Sequence, residues 1–389
     1  MERRSAGEWG WGPASDQAMT FKSRGTLPST AFTLPARYYT DPAIFARELD
    51  VFHRRMWIGV GRLEDIPKRG AYIVREIAGD SIIVVRASDG DDVRALANVC
   101  RHRGTRLCAD ASGQLAGTIQ CPYHAWTYDF EGRLLGAPHM DGSPGFDRAE
   151  FPLRRLRAGV WDGHIFVSFA ADGPSLADHL GGLVEKFRPW QMADLVRGER
   201  REYDVAANWK LIVQNYNECL HCPTLHPSLN KLSHYLSGEN EMVDGSYIGG
   251  RMDLSDGAQT MSMDGTCRRA PLPGLSDDQR RHVYYYSVFP NFMLAPHPDY
   301  VLTHTLWPLA PNRTRIVCDW LVHPDESAKP GFDLSDATTF WDMTNRQDWH
   351  VCELAQAGIS SRGYQPGPYS NREELLYAFD RYIVSELGL

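Results

Sequence analysis

The sequence predicts an α+β protein of two domains, and three observations support this fold class. The chain has 389 residues, which suits two domains at roughly 150 residues each. Between about residues 55 and 170, short runs rich in β-branched and aromatic residues alternate with Gly- and Asp-containing turns, a pattern typical of an all-β domain. Beyond residue 170, predicted helices and strands are grouped instead of strictly alternating, which argues against a doubly wound sheet.

Composition and charge exclude several classes of protein. Hydrophobic residues make up 43% of the chain and charged residues 23%, which are values typical of globular proteins. The net charge of −8, without a basic run, disfavours nucleic acid as a partner. No stretch approaches the roughly 18–20 consecutive apolar residues of a membrane span, and the N-terminus lacks the apolar region of a signal peptide. We therefore expect a cytoplasmic enzyme with a small-molecule substrate and no membrane partner.

The first residues predict a lead-in segment followed by a helix. A helix is expected from about Asp41 to Arg54, because Asp41 suits the N-cap, Pro42 suits the first helical position, and apolar residues recur at helical spacing. The chain is accordingly divided into a mobile segment (1–35), an N-terminal helix packed on the C-terminal domain (36–54), an all-β domain (55–170) and a mixed domain (171–389).

Individual elements follow from local patterns. Strands in the all-β domain are expected at 71–77, 81–86, 93–99, 118–120, 126–130 and 164–169. The mixed domain is expected to hold helices at 175–195 and 208–222, a loop-rich region at 228–275, strands at 283–289, 300–307 and 314–322, a long helix at 336–357 and a last helix from residue 371. Ser370 and Glu373 are spaced as a capping box for that last helix.

Two short pairs of metal-ligating residues lie in the all-β domain, Cys100 with His102 and Cys121 with His124. Each pair follows a predicted strand, so the two loop tips would enclose a small inorganic cluster if they met. A structural zinc site normally groups two Cys and then two His, whereas each pair here supplies one of each. A [2Fe–2S] cluster of the Rieske type needs two thiolates on one iron and two imidazoles on the other. The pattern favours the cluster, with zinc as the alternative.

With its neighbours, the motif Cys-x-His-Arg-Gly followed by Cys-Pro-Tyr-His-Ala-Trp resembles the Rieske domain of ring-hydroxylating oxygenases. The resemblance implies a [2Fe–2S] cluster held by those four residues. Respiratory Rieske proteins carry an extra Cys in each loop, and these are joined by a disulfide. Tyr123 stands at that position in the second loop here, so Cys108 has no obvious mate. The eight cysteines are interpreted as metal ligands or plain thiols.

A second dense motif runs from residue 208 to 227. Asn215, Glu218 and His221 have the spacing of one helix face, on a helix that we expect to end near Cys222 because Pro223 cannot continue it. The break would let His226 turn back toward His221, so that two imidazoles bind one metal. The nearby Cys219 and Cys222 are interpreted as ordinary thiols lining the site, because no second Cys pair accompanies them.

The third ligand must come from elsewhere in the chain. Two His and one carboxylate leave open positions on Fe(II) for O₂. Spacing alone does not choose between Asp342 and Asp348 on the long helix. The tail from Gln347 onward resembles that of the same oxygenase family, and the resemblance implies Asp348 as the carboxylate ligand.

The resemblance covers about residues 35–389 and carries the family's organisation as an expectation. It implies an antiparallel sheet flanked by helices (helix-grip or START-like) in the catalytic domain, a head-to-tail homotrimer, and O₂ as co-substrate. It also implies that Glu218 bridges His124 of one subunit to His221 of the next; Glu218 and Asn215 are the candidate catalytic residues. Because the sequence has no flavin or nicotinamide fingerprint, electrons from NAD(P)H would arrive through a separate flavin or ferredoxin reductase.

Substrate class follows from the residues around Glu218, which resemble those of glycine betaine, choline, carnitine and stachydrine oxygenases. The resemblance implies mono-oxygenation and N-demethylation of a quaternary-ammonium or N-methyl compound. Tyr285, Phe289 and Trp307 are candidates for the aromatic faces of a cation pocket. Two alternatives stay open: hydroxylation of an aromatic acid on the same scaffold, and an electron carrier without oxygenase activity. A separate β subunit is also left open.

Overall fold

The computed structural model describes residues 26–88, 90–242 and 246–389. The described chain divides into two compact units, one formed by residues 52–179 and the other by residues 26–51 together with 180–389. The predicted α+β class is confirmed, with strands dominating the first unit and an antiparallel sheet with helices in the second. Among the described residues, no helix is long and apolar enough to cross a membrane.

Ten strands were identified in the described part of residues 52–179. They are β1 (Ile58–Arg62), β2 (Ala71–Ile77), β3 (Asp80–Arg86), β4 (Val93–Ala97), β5 (Ser112–Gln114), β6 (Ile119–Gln120), β7 (Thr127–Tyr128), β8 (Leu134–Gly136), β9 (Arg155–Trp161) and β10 (His164–Ser168). One sheet has the order β1-β10-β9-β4-β3-β2-β5, and β6-β7-β8 form a small second sheet. Each of the six predicted runs contains a strand, whereas β1, β5, β8 and β9 were not predicted.

A hydrophobic core beneath the large sheet explains this unit's stability. Residues 82–85 of β3 are fully buried in succession, as in strands covered on both faces. The same core includes Trp126, Tyr128, Cys100 and Cys121, so the two loops that carry the Cys-His pairs are anchored in it. Packing density therefore holds the loop tips in place.

The second unit contains one antiparallel sheet in its described part. Its strands are β11 (Val196–Val205), β12 (Glu239–Met242), β13 (Tyr247–Asp253), β14 (His282–Val288), β15 (Phe292–Pro296), β16 (Val301–Ala310) and β17 (Arg313–Val322), in the order β11-β17-β16-β15-β14-β13-β12. The sheet is a meander from β12 to β17, with β11 added beside β17. The three predicted strands correspond to β14, β16 and β17. The region expected to be loop-rich, 228–275, was predicted wrongly in part, because it contains β12, β13 and most of a helix.

The α-helices of the described chain are mostly short. They are α1 (Arg37–Thr40), α2 (Pro42–Glu48), α3 (Leu176–Leu180), α4 (Leu183–Phe187), α5 (Trp209–Tyr216), α6 (Cys222–Leu225), α7 (Pro227–Leu232), α8 (Pro324–Ser327), α9 (Ser335–Ile359) and α10 (Glu374–Leu387). The predicted cap of α2 is present, since Asp41 Oδ1 accepts a hydrogen bond from the Ala43 N–H at 2.7 Å. The long predicted helix is α9, which packs on α5 and β11.

Residues 26–35 correct the expectation of a mobile segment. Leu27 and Ala31 are buried against Tyr377, and the Thr33 N–H donates to the Gly367 carbonyl at 2.9 Å. Apolar burial and backbone pairing hold these residues on the C-terminal part of the chain. The rest of the predicted mobile segment, residues 1–25, lies outside the described residues.

Candidate metal centres and substrate cavity

The two Cys-His loops of the first unit close in the same way. In each loop the cysteine N–H donates to the carbonyl five residues later, at 2.8 Å in both cases. The cysteine carbonyl accepts from the residue four positions later, Gly104 after Cys100 and Ala125 after Cys121, at 3.0 and 3.1 Å. Gly104 and Ala125 both have left-handed backbones, with φ of +72° and +56°. The strained Ala125 shows that surrounding structure imposes this turn on the second loop.

The turns bring the four side chains of the motif together. Cys100 and Cys121 are buried free thiols, and the rings of His102 and His124 lie 4.8 Å apart between centroids. His124 Nδ1 is buried and makes no hydrogen bond to a described residue. Two adjacent thiols, two adjacent imidazoles and a ring nitrogen without a partner match the donor set of a [2Fe–2S] cluster.

Local hydrogen bonds lower the pKa of the Cys121 thiol. Burial raises the pKa of Cys121, but N–H groups of the Tyr123 and His124 backbone, with neighbouring side chains, outweigh burial and lower the pKa below its usual value. The Tyr128 hydroxyl lies 3.4 Å from Cys100 Sγ. Thiolates are the form that iron binds, so this environment favours metal ligation over plain thiols.

The second motif does not form the single helix predicted for residues 208–222, and the shared face predicted for Asn215, Glu218 and His221 is wrong. Helix α5 ends at Tyr216. The side-chain amide of Asn217 donates to the Val213 carbonyl at 2.6 Å and to Ser287 at 2.7 Å, which competes with continuation of the helix. Glu218 and His221 therefore stand on a turn.

Pro223 begins a helix and does not end one. It is the second residue of α6, where its missing N–H costs nothing. His221 precedes α6 and His226 follows it, with the Leu225 N–H donating to the His221 carbonyl at 2.8 Å. One helical turn between the two histidines, instead of a swing after a break, places their rings 5.1 Å apart between centroids.

Asp348 of α9 meets both imidazoles. Its Oδ1 lies 2.7 Å from His226 Nε2 and 3.4 Å from His221 Nε2. One ligand atom from each of these residues lies within 4.8 Å of the others, close enough to hold one ion. Asp342, the alternative by spacing, accepts instead from the Tyr203 hydroxyl at 2.8 Å and pairs with Arg346.

The outer nitrogens of both rings have oxygen partners. His221 Nδ1 lies 2.5 Å from Glu218 Oε1, and His226 Nδ1 lies 2.7 Å from Gln347 Oε1. Each acceptor holds a proton on Nδ1, which leaves the Nε2 lone pair directed at the shared point. Two neutral imidazoles and a carboxylate are the donor set of a mononuclear non-haem Fe(II) site.

The negative charge of two carboxylates in this site favours binding of a cation. Burial lowers the pKa of His221, but hydrogen bonds to Asp348 and Glu218 outweigh it and raise the pKa to about 10. Asp348 and Glu218 are both largely shielded from solvent, each with 14% of its side chain exposed. Without a metal, the two carboxylates thus favour the imidazolium form of His221; a divalent metal would displace the Nε2 proton, leave the imidazole neutral and take the place of that positive charge.

Cys219 and Cys222 form a disulfide, which corrects their interpretation as thiols. The tight turn between α5 and α6 brings their Cα atoms to 5.0 Å, within the range that a disulfide spans. This distance depends on how the helix ends, so spacing in the sequence did not reveal it. Cys222 Sγ lies 3.9 Å from His221 Nε2. Cys108, expected to lack a mate, is a free buried thiol.

A cavity of about 290 Å³ opens beside the three convergent residues. Asn215 and Glu218, the candidate catalytic residues, both line it. Its aromatic wall includes Tyr285 and Trp341, with ring centroids 6.3 Å apart. Arg372, an exposed residue next to α10, also lines the cavity.

Two of the three predicted pocket residues lie elsewhere. Phe289 follows the end of β14 and packs on Phe379 and Tyr382, at 5.3 and 5.0 Å between centroids. Trp307 is three positions after His304 on β16; since His304 lines the cavity, the odd spacing directs Trp307 to the other face. Only the strand register distinguishes these residues from Tyr285.

Several residues of the site were not singled out from the sequence. Gln347 was noted for its family pattern but not as a partner of His226. Trp126, which stacks on His102 at 4.8 Å, stands inside the quoted motif and could have been found there. The cavity residues Tyr216, His304, Trp341 and Trp349 carry no local signal, because strand register and helix packing bring them together.

Comparisons with protein families agree with both halves of the chain. The family described as "Rieske [2Fe-2S] domain" matches residues 56–152, and the family described as "Ring hydroxylating alpha subunit (catalytic domain)" matches residues 192–388. The second match spans the convergent His221, His226 and Asp348, and the first spans the two Cys-His loops.

Similar proteins and structures are as follows. The glycine betaine monooxygenase oxygenase subunit of Pseudomonas aeruginosa (strain UCBPP-PA14) is 32% identical over 353 residues, covering 84% of this chain and 81% of that protein. The carnitine monooxygenase oxygenase subunit of Escherichia coli (strain K12) is 36% identical over 205 residues, or 52% of this chain and 54% of that protein. The quaternary ammonium Rieske monooxygenase CntA in complex with L-carnitine shares the fold, with a TM-score of 0.76 at 22% identity over 93% of this chain and 99% of that chain.

Proposed function

Because the chain belongs to the ring-hydroxylating alpha subunit family, we propose that it oxidises an N-methyl group of a small quaternary ammonium compound. The protein is a Rieske non-haem iron oxygenase subunit, with a [2Fe–2S] cluster and a mononuclear iron as cofactors. O₂ is the co-substrate, and NAD(P)H supplies electrons through a separate reductase. This membership removes the alternative of an electron carrier without a catalytic domain.

Cys100, His102, Cys121 and His124 are the proposed cluster ligands, on the strength of their shared turns and buried thiols. For iron, the proposed ligands are the Nε2 atoms of both histidines and the carboxylate of Asp348, which converge on one point. When bound, the cluster passes on single electrons, and the iron binds and activates O₂ beside the substrate. Glu218 and Gln347 keep the Nε2 lone pairs free, and the cavity holds the substrate against this point.

The observation that carries the substrate class is the make-up of the cavity wall. Tyr285 and Trp341 offer aromatic faces to a cation, each worth roughly 0.5–2 kcal/mol. Glu218 and Asp348 also line the cavity and would offset the charge of a bound divalent metal, so that the metal does not repel a cationic substrate. A trimethylammonium group has no N–H to donate, and such a wall binds it without hydrogen bonds. The relatives named for glycine betaine and carnitine support the same class.

Arg372 is a candidate group for binding an anionic part of the substrate. The Arg372 side chain forms no ion pair with a described residue, whereas Arg251 of the same cavity pairs with Glu239 at 3.1 Å. A betaine carries a carboxylate at the end opposite its ammonium group, and a guanidinium binds a carboxylate in a bidentate manner. We therefore favour a zwitterionic betaine over a simple cation such as choline.

The proposed reaction inserts one oxygen atom of O₂ into an N-methyl C–H bond, while the other atom leaves as water with two electrons and two protons. The resulting N-hydroxymethyl compound breaks its C–N bond and releases formaldehyde and the demethylated amine.

The test is incubation of the purified chain with a compatible reductase, NADH and O₂, with glycine betaine, carnitine and choline as separate substrates. Formaldehyde formed in proportion to NADH consumed supports the proposal. A cis-diol from an aromatic acid, with no formaldehyde from any ammonium compound, would contradict it.

The assembly and location follow from the family resemblance as further proposals. We propose a head-to-tail homotrimer in the cytoplasm, in which Glu218 links His124 of one subunit to His221 of the next. The 2.5 Å contact from Glu218 to His221 within one chain supports half of that path.

A further inference from the structure

Both ring nitrogens of His226 are held by consecutive residues of α9. Gln347 Oε1 lies 2.7 Å from Nδ1, and Asp348 Oδ1 lies 2.7 Å from Nε2. His226 is 2% exposed at the side chain, so these two contacts define its ring plane without competition from bulk water. One turn of α9 thus supplies both a metal-facing carboxylate and a partner on the opposite side of the ring.

A side-chain oxygen at Nδ1 selects one tautomer. An amide oxygen only accepts, so Nδ1 must carry a proton, and Nε2 is then the ring nitrogen that would give its lone pair to a metal bound beside Asp348. The reverse orientation of the amide would place a donor at Nδ1, move the proton to Nε2 and remove the lone pair that a metal needs. Gln347 can therefore act on the metal only through His226.

The two imidazoles also differ in the charge of their partners. His221 has the carboxylate of Glu218 at Nδ1, whereas His226 has a neutral amide. Glu218 and Asp348 together carry two negative charges, which balance a divalent ion. A third carboxylate at position 347 would leave the site with excess negative charge, and a trivalent ion would then be favoured over a divalent one.

We propose that Gln347 is a positioning residue which fixes the tautomer of His226 and, by being neutral, adapts the site to Fe(II) in preference to Fe(III). This inference rests on the proposed role of His226 as an iron ligand. It assigns to Gln347 two separable properties, an acceptor oxygen and the absence of charge. The variants Gln347→Leu and Gln347→Glu remove them one at a time.

The experiment measures metal affinity of the full-length, cluster-containing protein after removal of the mononuclear metal, by chelator competition with Fe(II) and with Co(II). Gln347→Leu is expected to bind both ions 10–100-fold more weakly, the loss typical for removal of a partner of a metal-bound histidine. Gln347→Glu is expected to keep Fe(II) affinity near wild type but to oxidise to Fe(III) faster in air. The Co(II) absorption bands of Gln347→Glu should match wild type.

The control is His350→Ala, which removes an exposed side chain from the same helix and should bind metal normally. Metal-free thermal unfolding of all variants separates misfolding from a local effect. Unchanged Fe(II) affinity in a folded Gln347→Leu variant would overturn the tautomer argument. Equal oxidation rates for Gln347→Glu and wild type would overturn the charge argument. Because no substrate is used, a failed formaldehyde assay would leave this result unaffected.

Discussion

Among the described residues, Asp348 is the single carboxylate that contacts both histidine Nε2 atoms, so it offers the sharpest test at the residue scale. We expect Asp348→Ala to lose the mononuclear iron and keep the cluster, because the Cys-His loops belong to another compact unit. Metal analysis should fall from about three irons per chain to two, while the visible absorption of the cluster persists. Asp342→Ala is the matched control on the same helix. Loss of iron from that control but not from Asp348→Ala would refute the assignment.

Substitution of Arg372 tests whether its guanidinium binds the carboxylate of a betaine substrate. We expect Arg372→Gln to raise KM for glycine betaine about tenfold, roughly 1.4 kcal/mol of lost charge-assisted bonding, with a small effect on kcat. Choline, which has no carboxylate, should show the same KM with both proteins. Steady-state formaldehyde release measures both constants. Arg362→Gln is the control, since Arg362 is exposed and does not line the cavity. An equal change for both substrates would argue against a carboxylate contact.

At the scale of elements, a buried ion pair joins α2 to α5. Lys210 Nζ lies 2.5 Å from Glu48 Oε1, both side chains are at most 1% exposed, and the Trp209 indole also donates to Glu48. We expect Lys210→Met to lower the free energy of unfolding by about 3–5 kcal/mol, because it leaves a buried carboxylate unpaired. The double variant Lys210→Met/Glu48→Gln should recover most of that loss. Chemical denaturation of the three proteins provides the values, and no recovery would mean that the pair's charges do not matter.

A second contact between elements makes stability depend on pH. Asp380 of α10 accepts from Gln214 of α5 at 2.6 Å and from Tyr369 at 2.7 Å. Burial raises the pKa of Asp380 to about 7, despite these hydrogen bonds and the charge of Lys210. The folded state therefore binds a proton that the unfolded state releases near pH 4, so this group's contribution to stability is present below pH 4 and is lost as pH rises to 7.

We accordingly expect Asp380→Asn to flatten the decline in unfolding free energy between pH 4 and 7. Relative to wild type, the variant should gain up to about 3–4 kcal/mol across this window. Denaturant titrations at a series of pH values measure the difference. Asp277→Asn is the control, because Asp277 is fully exposed. A parallel pH dependence in wild type and Asp380→Asn would contradict the raised pKa.

At the scale of the whole molecule, the proposed electron path runs between copies of the chain. A His102→Ala variant, which lacks a cluster ligand, and an Asp348→Ala variant, which lacks an iron ligand, should each be inactive alone. Co-expressed with different tags and purified as mixed oligomers, they should regain formaldehyde formation, because a cluster in one copy can serve iron in the next. Mixed oligomers that stay inactive would place the transfer within one chain. Sedimentation would report the oligomeric state.

Much of the fold could be predicted from local chemistry. Asp41 with Pro42 marked the start of α2, and the long α9 was found nearly to its ends, since capping and periodicity are properties of neighbouring residues. The helix over residues 208–222 was overextended because the side chain of Asn217 stops it through a bond to Ser287, seventy residues away. No local pattern contains that contact.

The sequence by itself determined which residues are candidate ligands in the two Cys-His pairs and at the two histidines around Pro223. Each set consists of metal-ligating residue types at close spacing, which can be recognised without the fold. Family likeness selected Asp348, and the tertiary structure supplied its distances to both rings. Three outcomes were decided by the tertiary structure alone. Cys219 and Cys222 form a disulfide, Tyr285 lines the cavity whereas Phe289 and Trp307 do not, and Gln347 contacts His226. These outcomes depend on strand register, on where helices end and on packing between distant segments, and such properties arise only when the chain is folded.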